Sequence, residues 1–194
     1  GYRNLSRLLS LGWTEGFYYT PRIDKEILRK YSEGIIACSA CLGGELPQAI
    51  MNANPSLHNG DIPIHFNLDS ARKVVEEFKS IFGSDYYIEL QRNGHKEQTL
   101  VNAALLQLSE EYGVKCIATN DSHFVNKEDF STHKVLICIN TGRKLITNEE
   151  ILQDTDTDNG LAYSGEEYFK TTDEMKELFA DVPEAILNTS VIAE

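Results

Sequence analysis

The chain has 194 residues, of which 41% are hydrophobic and 25% charged; this fits one sizeable core with at most a small appendage, and excludes a disordered or low-complexity chain. A formal charge of -12 argues against wide, non-specific contact with a phosphate backbone, which needs clustered Lys and Arg. No apolar run approaches bilayer length, and GYRNLSRLLSLGW lacks the basic start, apolar stretch and cleavage site of a secretory signal.

In chain order, helical and extended patterns alternate. YRNLSRLLSLGW spaces Leu5, Leu8 and Leu9 along a helical stripe, with Gly12 as a candidate stop. PRIDKEILRKY predicts a short helix capped by Asp24. EGIIACSACLGGE places a buried strand, IIAC, before a glycine-bearing loop, and a helix follows around LPQAIMN. Residues 52–68 are polar and turn-rich, which predicts a surface excursion. SARKVVEEFKSIFG sets Val74, Val75, Phe78, Ile81 and Phe82 on one helical face, with Asp69 as cap and Gly83 as stop.

DYYIEL is the second strand, and EQTLVNAALLQLSEEYG is a long helix ended by Gly113. VKCIAT is the third strand, and a helix begins near Asp129. The strands are apolar without clean alternation, as expected where helices cover both faces of a parallel sheet. Three strands are too few to close a barrel, so either the sheet is a small open one or further strands lie outside the chain, which does not begin with Met. From about residue 143 the chain turns acidic and turn-rich; YFK is one extended segment, and two helices follow, separated at Pro183.

In such a sheet, ligands gather where loops leave the carboxyl ends of the strands. Those loops are SACLGGE (39–45), QRNGHKE (91–97) and NDSHFVNKED (120–129), supplying Cys41, Glu45, Arg92, Asn93, His95, Asp121 and His123. Asp121-x-His123 leaves a strand with both side chains on one side if extended geometry persists; the pair then suits zinc or manganese, or else serves only to turn the chain. Cys41 reads as a ligand or as a small buried hydrophobe. Glu89 faces a polar interior or pairs with Arg92, and His95 with Glu97 is an acid–base pair or a solvated helix start. His58, His65 and His133 show no comparable convergence, and His133 reads as helix packing or a hydrogen-bond donor. Cys38, Cys41, Cys116 and Cys138 lack a second close pair, so reduced and mostly buried thiols are expected rather than a structural zinc site.

YRNLSRLLSLGW, FYYTPRIDKEIL, SACLGGE, YYIELQRNG, ATNDSHF, HKVLICINTG and YFKTTDEMKELF occur here in one order. On these segments the chain resembles the alpha subunits of bacterial replicative DNA polymerase III (C-family), in the later part of their N-terminal PHP (polymerase and histidinol phosphatase) domain. The resemblance implies an α/β fold. Residues 1–145 would form a partial (βα) barrel-like domain with mostly parallel strands and covering helices, 146–165 an acidic linker, and 166–194 a small, mainly helical tail towards the thumb and palm. It implies a cytoplasmic parent that is the catalytic subunit of a DNA-directed DNA polymerase. That parent would act on primed DNA template and deoxynucleoside triphosphates with Mg at a palm site beyond Glu194, beside a proofreading exonuclease and other replicase subunits.

For the segment itself the resemblance implies a structural or partner-binding role without catalytic residues or tight DNA binding; the alternative is part of a metal-dependent 3'–5' exonuclease or phosphoesterase. The family's cysteine ligand matches Cys41, and its Asp-x-His ligands match Asp121 and His123, a partial site for Zn or Mn. The family's earlier ligands would precede Gly1. Where many members read QRHG, this chain has Asn93, so weak or absent metal binding is expected.

Overall fold

The computed structural model describes residues 1–59, 63, 65–142 and 163–194. The acidic connector expected over 146–165 lies, up to residue 162, outside the described residues, as do positions 60–62 and 64 of the polar excursion.

Three strands form one parallel sheet in the order β1-β2-β3: β1 is Ala37–Cys38, β2 Tyr86–Gln91 and β3 Cys116–Thr119. Ala37 pairs with Tyr86, and Ile88 with Cys116, so β2 is central. As the strand patterns predict, all three run parallel, and helices carry the chain between them. In order, the helices are α1 (Tyr2–Thr14), α2 (Lys25–Lys30), α3 (Glu45–Ala53), α4 (Asp69–Phe82), α5 (Lys96–Tyr112), α6 (Phe130–Thr141), α7 (Thr172–Leu178) and α8 (Pro183–Ala193).

Local signals explain most boundaries. The Asp24 carboxylate accepts the Ile27 N–H at 2.8 Å and starts α2. Gly113 ends α5 in the left-handed region. The predicted face of α4 is buried at Val74, Val75 and Phe82, with Phe78 and Ile81 packed beside them. Four expectations are corrected. α1 runs on through Gly12, which is buried with the Arg22 carbonyl 3.4 Å from where a Cβ would stand. IIAC is not a buried strand: only Ala37–Cys38 pair, at the sheet edge, with Ile36 and Cys38 exposed. Asp69 is the first residue of α4 rather than its cap, and its side chain pairs with Arg72 instead. The excursion after α3 is pinned inward: Leu57 is fully buried, and the Asn54 amide donates to the Ile50 and Asn67 carbonyls at 2.8 and 2.9 Å.

The four cysteines are free thiols. Cys116 and Cys138 are buried, Cys41 is half-buried and Cys38 is exposed.

The helical tail closes the core. Phe179 has no exposed surface and shares one apolar cluster with Leu90, Leu105, Val182 and Ala185. Over it lies Arg92, at the end of β2, with its guanidinium carbon 4.8 Å from the ring centre. The guanidinium forks onto both oxygens of Asp181 at 2.5 and 2.8 Å and donates to the Leu178 carbonyl at 2.8 Å. That fork holds the Asp181 carboxyl below its usual range and Arg92 above its own. The Asn188 amide also reaches the Cys116 carbonyl of β3 at 2.8 Å.

Burial of the phenyl ring outweighs the ion pair, since Phe→Ala in a core costs about 3–5 kcal/mol while a partly exposed pair contributes at most about 1 kcal/mol. Phe179→Ala is therefore expected to lower the unfolding free energy by about 3–5 kcal/mol in a urea titration, and Asp181→Ala by about 1 kcal/mol or less. An equal loss from the two substitutions would show that the clamp, not the ring, holds the tail.

Candidate functional site

Parallel strands deliver the three loops to the same end of the sheet, and there a cavity of about 440 Å³ opens. Cys41 lines it from the β1 loop, Asn93 and His95 from the β2 loop, and Asp121 and His123 from the β3 loop. Tyr163 and Glu167 complete the wall from the segment that leads into the tail. The three residues expected to form a partial metal site thus face one cavity. Two other candidates are turned away from it: Arg92 clamps the tail, and Glu45 pairs with Lys25, which also contacts Glu77 at 2.6 Å.

Backbone shape at the loop starts departs from the extended form. Ala40 and Asp121 both take positive φ, 63° and 49°. Asp121 therefore turns the chain as it leaves β3, and the expected same-side projection of Asp121 and His123 along a continuing strand is not what forms. Aspartate tolerates this region; alanine does so at a cost. His123 Nδ1 instead donates to the Asp121 carbonyl at 2.5 Å. Gly44 is needed for close approach, because a Cβ there would lie 2.2 Å from the Ser39 carbonyl oxygen.

Neutral amides build the cavity floor. Gln98 accepts the Asn93 N–H at 3.0 Å and donates to Gln91 at 3.3 Å, while Asn102 donates to the Gln91 carbonyl at 2.8 Å. Asn93 is 2% exposed, and its side-chain oxygen has no partner among the described residues. Glu89 neither pairs with Arg92 nor stands alone: it accepts the Thr119 hydroxyl at 2.8 Å. His95 does not pair with Glu97; its Nε2 lies 3.1 Å from Glu167 Oε1. His133 packs as its sequence context predicts, with its ring centre 5.9 Å from that of His123 and 4.9 Å from that of Tyr163. Burial first, and then the neighbouring His123, pulls the His133 pKa down.

Glu167 is absent from the candidates that the sequence pattern singles out. It is 1% exposed, yet its carboxyl stays below the usual range. Burial opposes ionisation, but backbone N–H groups of its own turn, those of Ser164 and Gly165 among them, outweigh it. Its only trace in the sequence is an acidic residue between Gly165 and the extended YFK, where Tyr168 bridges in parallel to Phe124. Gly165 takes φ 92°, and a Cβ there would come 3.1 Å from the Phe130 ring.

Chemically, no lysine or arginine among the described residues lines the cavity, whereas two carboxylates do. Among the described residues no group of three or more His, Cys, Asp or Glu side chains is placed to hold a metal ion. The donors therefore share a cavity without converging on one coordination centre. Cys38 is not an activated thiol: desolvation, and then the charge of Glu89, pushes it up to about 11.

The PHP domain family matches residues 1–93, which reach from α1 to the loop after β2. Over its whole length the chain is 44% identical to DNA polymerase III subunit alpha of Borreliella burgdorferi and 38% identical to that of Helicobacter pylori. Over 95% of its length it is 40% identical to the same subunit of Thermus aquaticus. It spans 15%, 15% and 13% of these relatives. A partly open parallel sheet, helix-covered and with its loops gathered at one end, is the α/β frame in which that PHP match falls. Over its whole length the chain is similar to bacterial DNA polymerase III alpha subunits, with the PHP match falling on its first 93 residues.

Left-handed geometry at Ala40 is the one strained feature beside Cys41. Ala40→Gly is expected to raise stability by about 1 kcal/mol, because glycine adopts this region without a Cβ clash. Thermal melting should move up by about 2–4 °C; a fall would show that Ala40 is not held at positive φ.

Proposed function

We propose that the chain is a structural and partner-carrying segment of the PHP domain in the catalytic subunit of a bacterial replicase. The observation that carries this reading is the alignment of the whole chain with the alpha-subunit relatives. Residues 1–145 then constitute the PHP portion, 146–165 a linker, and 166–194 the passage towards thumb and palm. In that reading the larger protein is a cytoplasmic DNA-directed DNA polymerase. It acts on primed template and deoxynucleoside triphosphates, with Mg at a site outside this chain, and works beside a proofreading exonuclease. Among the described residues no helix is long and apolar enough to cross a membrane.

Physical chemistry favours a supporting role for these residues. Phosphoester hydrolysis needs a metal-activated water or an equivalent general base beside an anion-binding surface. Among the described residues the cavity has two carboxylates, no lysine or arginine and no convergent ligand set. Cys41, Asp121 and His123 remain the residues with which a lineage metal site is associated, and Zn or Mn would bind them weakly here.

Primed-template extension is the test. The 194-residue chain alone is expected to incorporate no nucleotide, while a longer polypeptide carrying it extends the primer. Incorporation by the chain alone, or none by the longer polypeptide, overturns the assignment. A parallel assay on single-stranded DNA with Mn or Zn is expected to show no 3'–5' degradation by the chain; degradation abolished by Asp121→Ala would establish the exonuclease alternative.

A further inference from the structure

Glu167 is the only charged residue among the buried described residues, and its connections are unusually complete for a site wall. Oε1 accepts the Ser164 N–H at 2.9 Å and the His95 Nε2–H at 3.1 Å, and lies 3.1 Å from the Ser164 hydroxyl. Oε2 accepts the Gly165 N–H at 2.9 Å. The Ser164 hydroxyl also lies against the Asn93 carbonyl, so its single proton is divided between that carbonyl and Oε1. On the other side, the Glu167 carbonyl accepts the His123 N–H at 2.8 Å. The Asn120 amide bonds the carbonyls of Glu166 and Tyr168 at 2.9 and 2.8 Å. Residues 164–168 therefore form a strap fastened to the β2 loop at Asn93 and His95, and to the β3 loop at Asn120 and His123.

These contacts bear on the metal expected from the family. Oε1 is committed to three partners, His95 spends Nε2 on Glu167, and His123 spends Nδ1 on a backbone carbonyl. Among the described residues the donors do not fit a cation centre as arranged. What a cation does mechanically in a site is to draw separate loops onto one charge. Here a charge with that connectivity is present, and it is a carboxylate.

We propose that Glu167 is the internal cross-link of this cavity: a positioning residue whose buried carboxylate fixes His95 and straps the β2 and β3 loops together, in place of a metal ion. In the neutral ring, donation to a carboxylate places the proton on Nε2 and leaves Nδ1 as the acceptor. Turning the ring to offer Nε2 to the cavity would leave a buried charge short of a donor, which is costly. The arrangement thus holds the imidazole in one orientation without external ligand.

The experiment uses the 194-residue chain and three readouts: the melting temperature, amide hydrogen exchange over 163–168 and at His123, and the nitrogen chemical shifts of His95. Glu167→Gln keeps the size but sets an amide against the N–H groups of Ser164 and Gly165. It is expected to lower the melting temperature on the order of 10 °C, to expose the strap and His123 amides to exchange, and to release His95 from a single tautomer. Zinc or manganese chloride at a concentration equal to that of the protein is expected to leave the wild-type melting temperature unchanged. Should Glu167→Gln fail to fold, Ser164→Ala, which removes one contact to Oε1, must still accelerate strap exchange and loosen the His95 tautomer. The proposal is overturned if either variant leaves the strap amides and the His95 tautomer as in wild type. It is equally overturned if zinc raises the wild-type melting temperature and His123→Ala abolishes that rise.

Discussion

A parallel pair of strands cannot be joined by a tight turn, so each strand must be followed by a helix that carries the chain back across a face of the sheet. Everything else in the molecule answers to that constraint. The crossovers through α3 and α4, and then through α5, place the ends of β1, β2 and β3 side by side and bring three loops to one cavity. They also oblige the sheet to be covered. α5 lies against β2, α8 against β3, and their apolar side chains meet in the single cluster that contains Phe179. Site and core are therefore two ends of one arrangement, and the loop after β2 belongs to both.

That loop reaches in both directions. Its Arg92 fastens the tail through Asp181, Leu178 and Phe179, and its Asn93 and His95 meet the strap through Ser164 and Glu167. Residues 163–181 consequently run from the cavity wall into the core with anchors at both ends. The capping box at Thr171 and Glu174 starts α7 between those anchors. Tyr168 donates to Glu174 at 2.7 Å, and the contacts with Tyr168 and Thr171 draw that carboxyl down to about 2. The cavity wall and the tail thus share a single β2 loop.

Much of this is legible in the residues alone. Apolar strands between helical patterns point to a parallel sheet, and the ends of those strands mark the loops that meet. The face of α4 and the cap at Asp24 follow from helical periodicity and from a carboxylate placed before the first turn. The rest is set by contacts distant in sequence. IIAC has the composition of a central strand but lies at the edge, where only two residues pair. Asp121 has the spacing of a ligand, yet it spends its conformation on a left-handed turn. Glu167 lies 72 positions from His95, in a part of the chain that the sequence marks only as acidic and turn-rich. Its burial depends on donors that exist only once Ser164 and Gly165 have turned, and local pattern does not report such donors. Arg92 follows the same logic: Glu89 is near it in sequence, but Thr119 satisfies that carboxylate, and the guanidinium turns to Asp181.

If tail, strap and sheet form one cooperative unit, native-state amide hydrogen exchange must show it, because the parts of such a unit open together and share one free energy of exchange. The protected amides of α7 and α8 are then expected to exchange with the same free energy as those of β2 and β3, and to converge with them as denaturant rises. Exchange of residues 172–193 at much lower free energy, while β2 and β3 stay protected, would contradict this and make the tail a separate appendage.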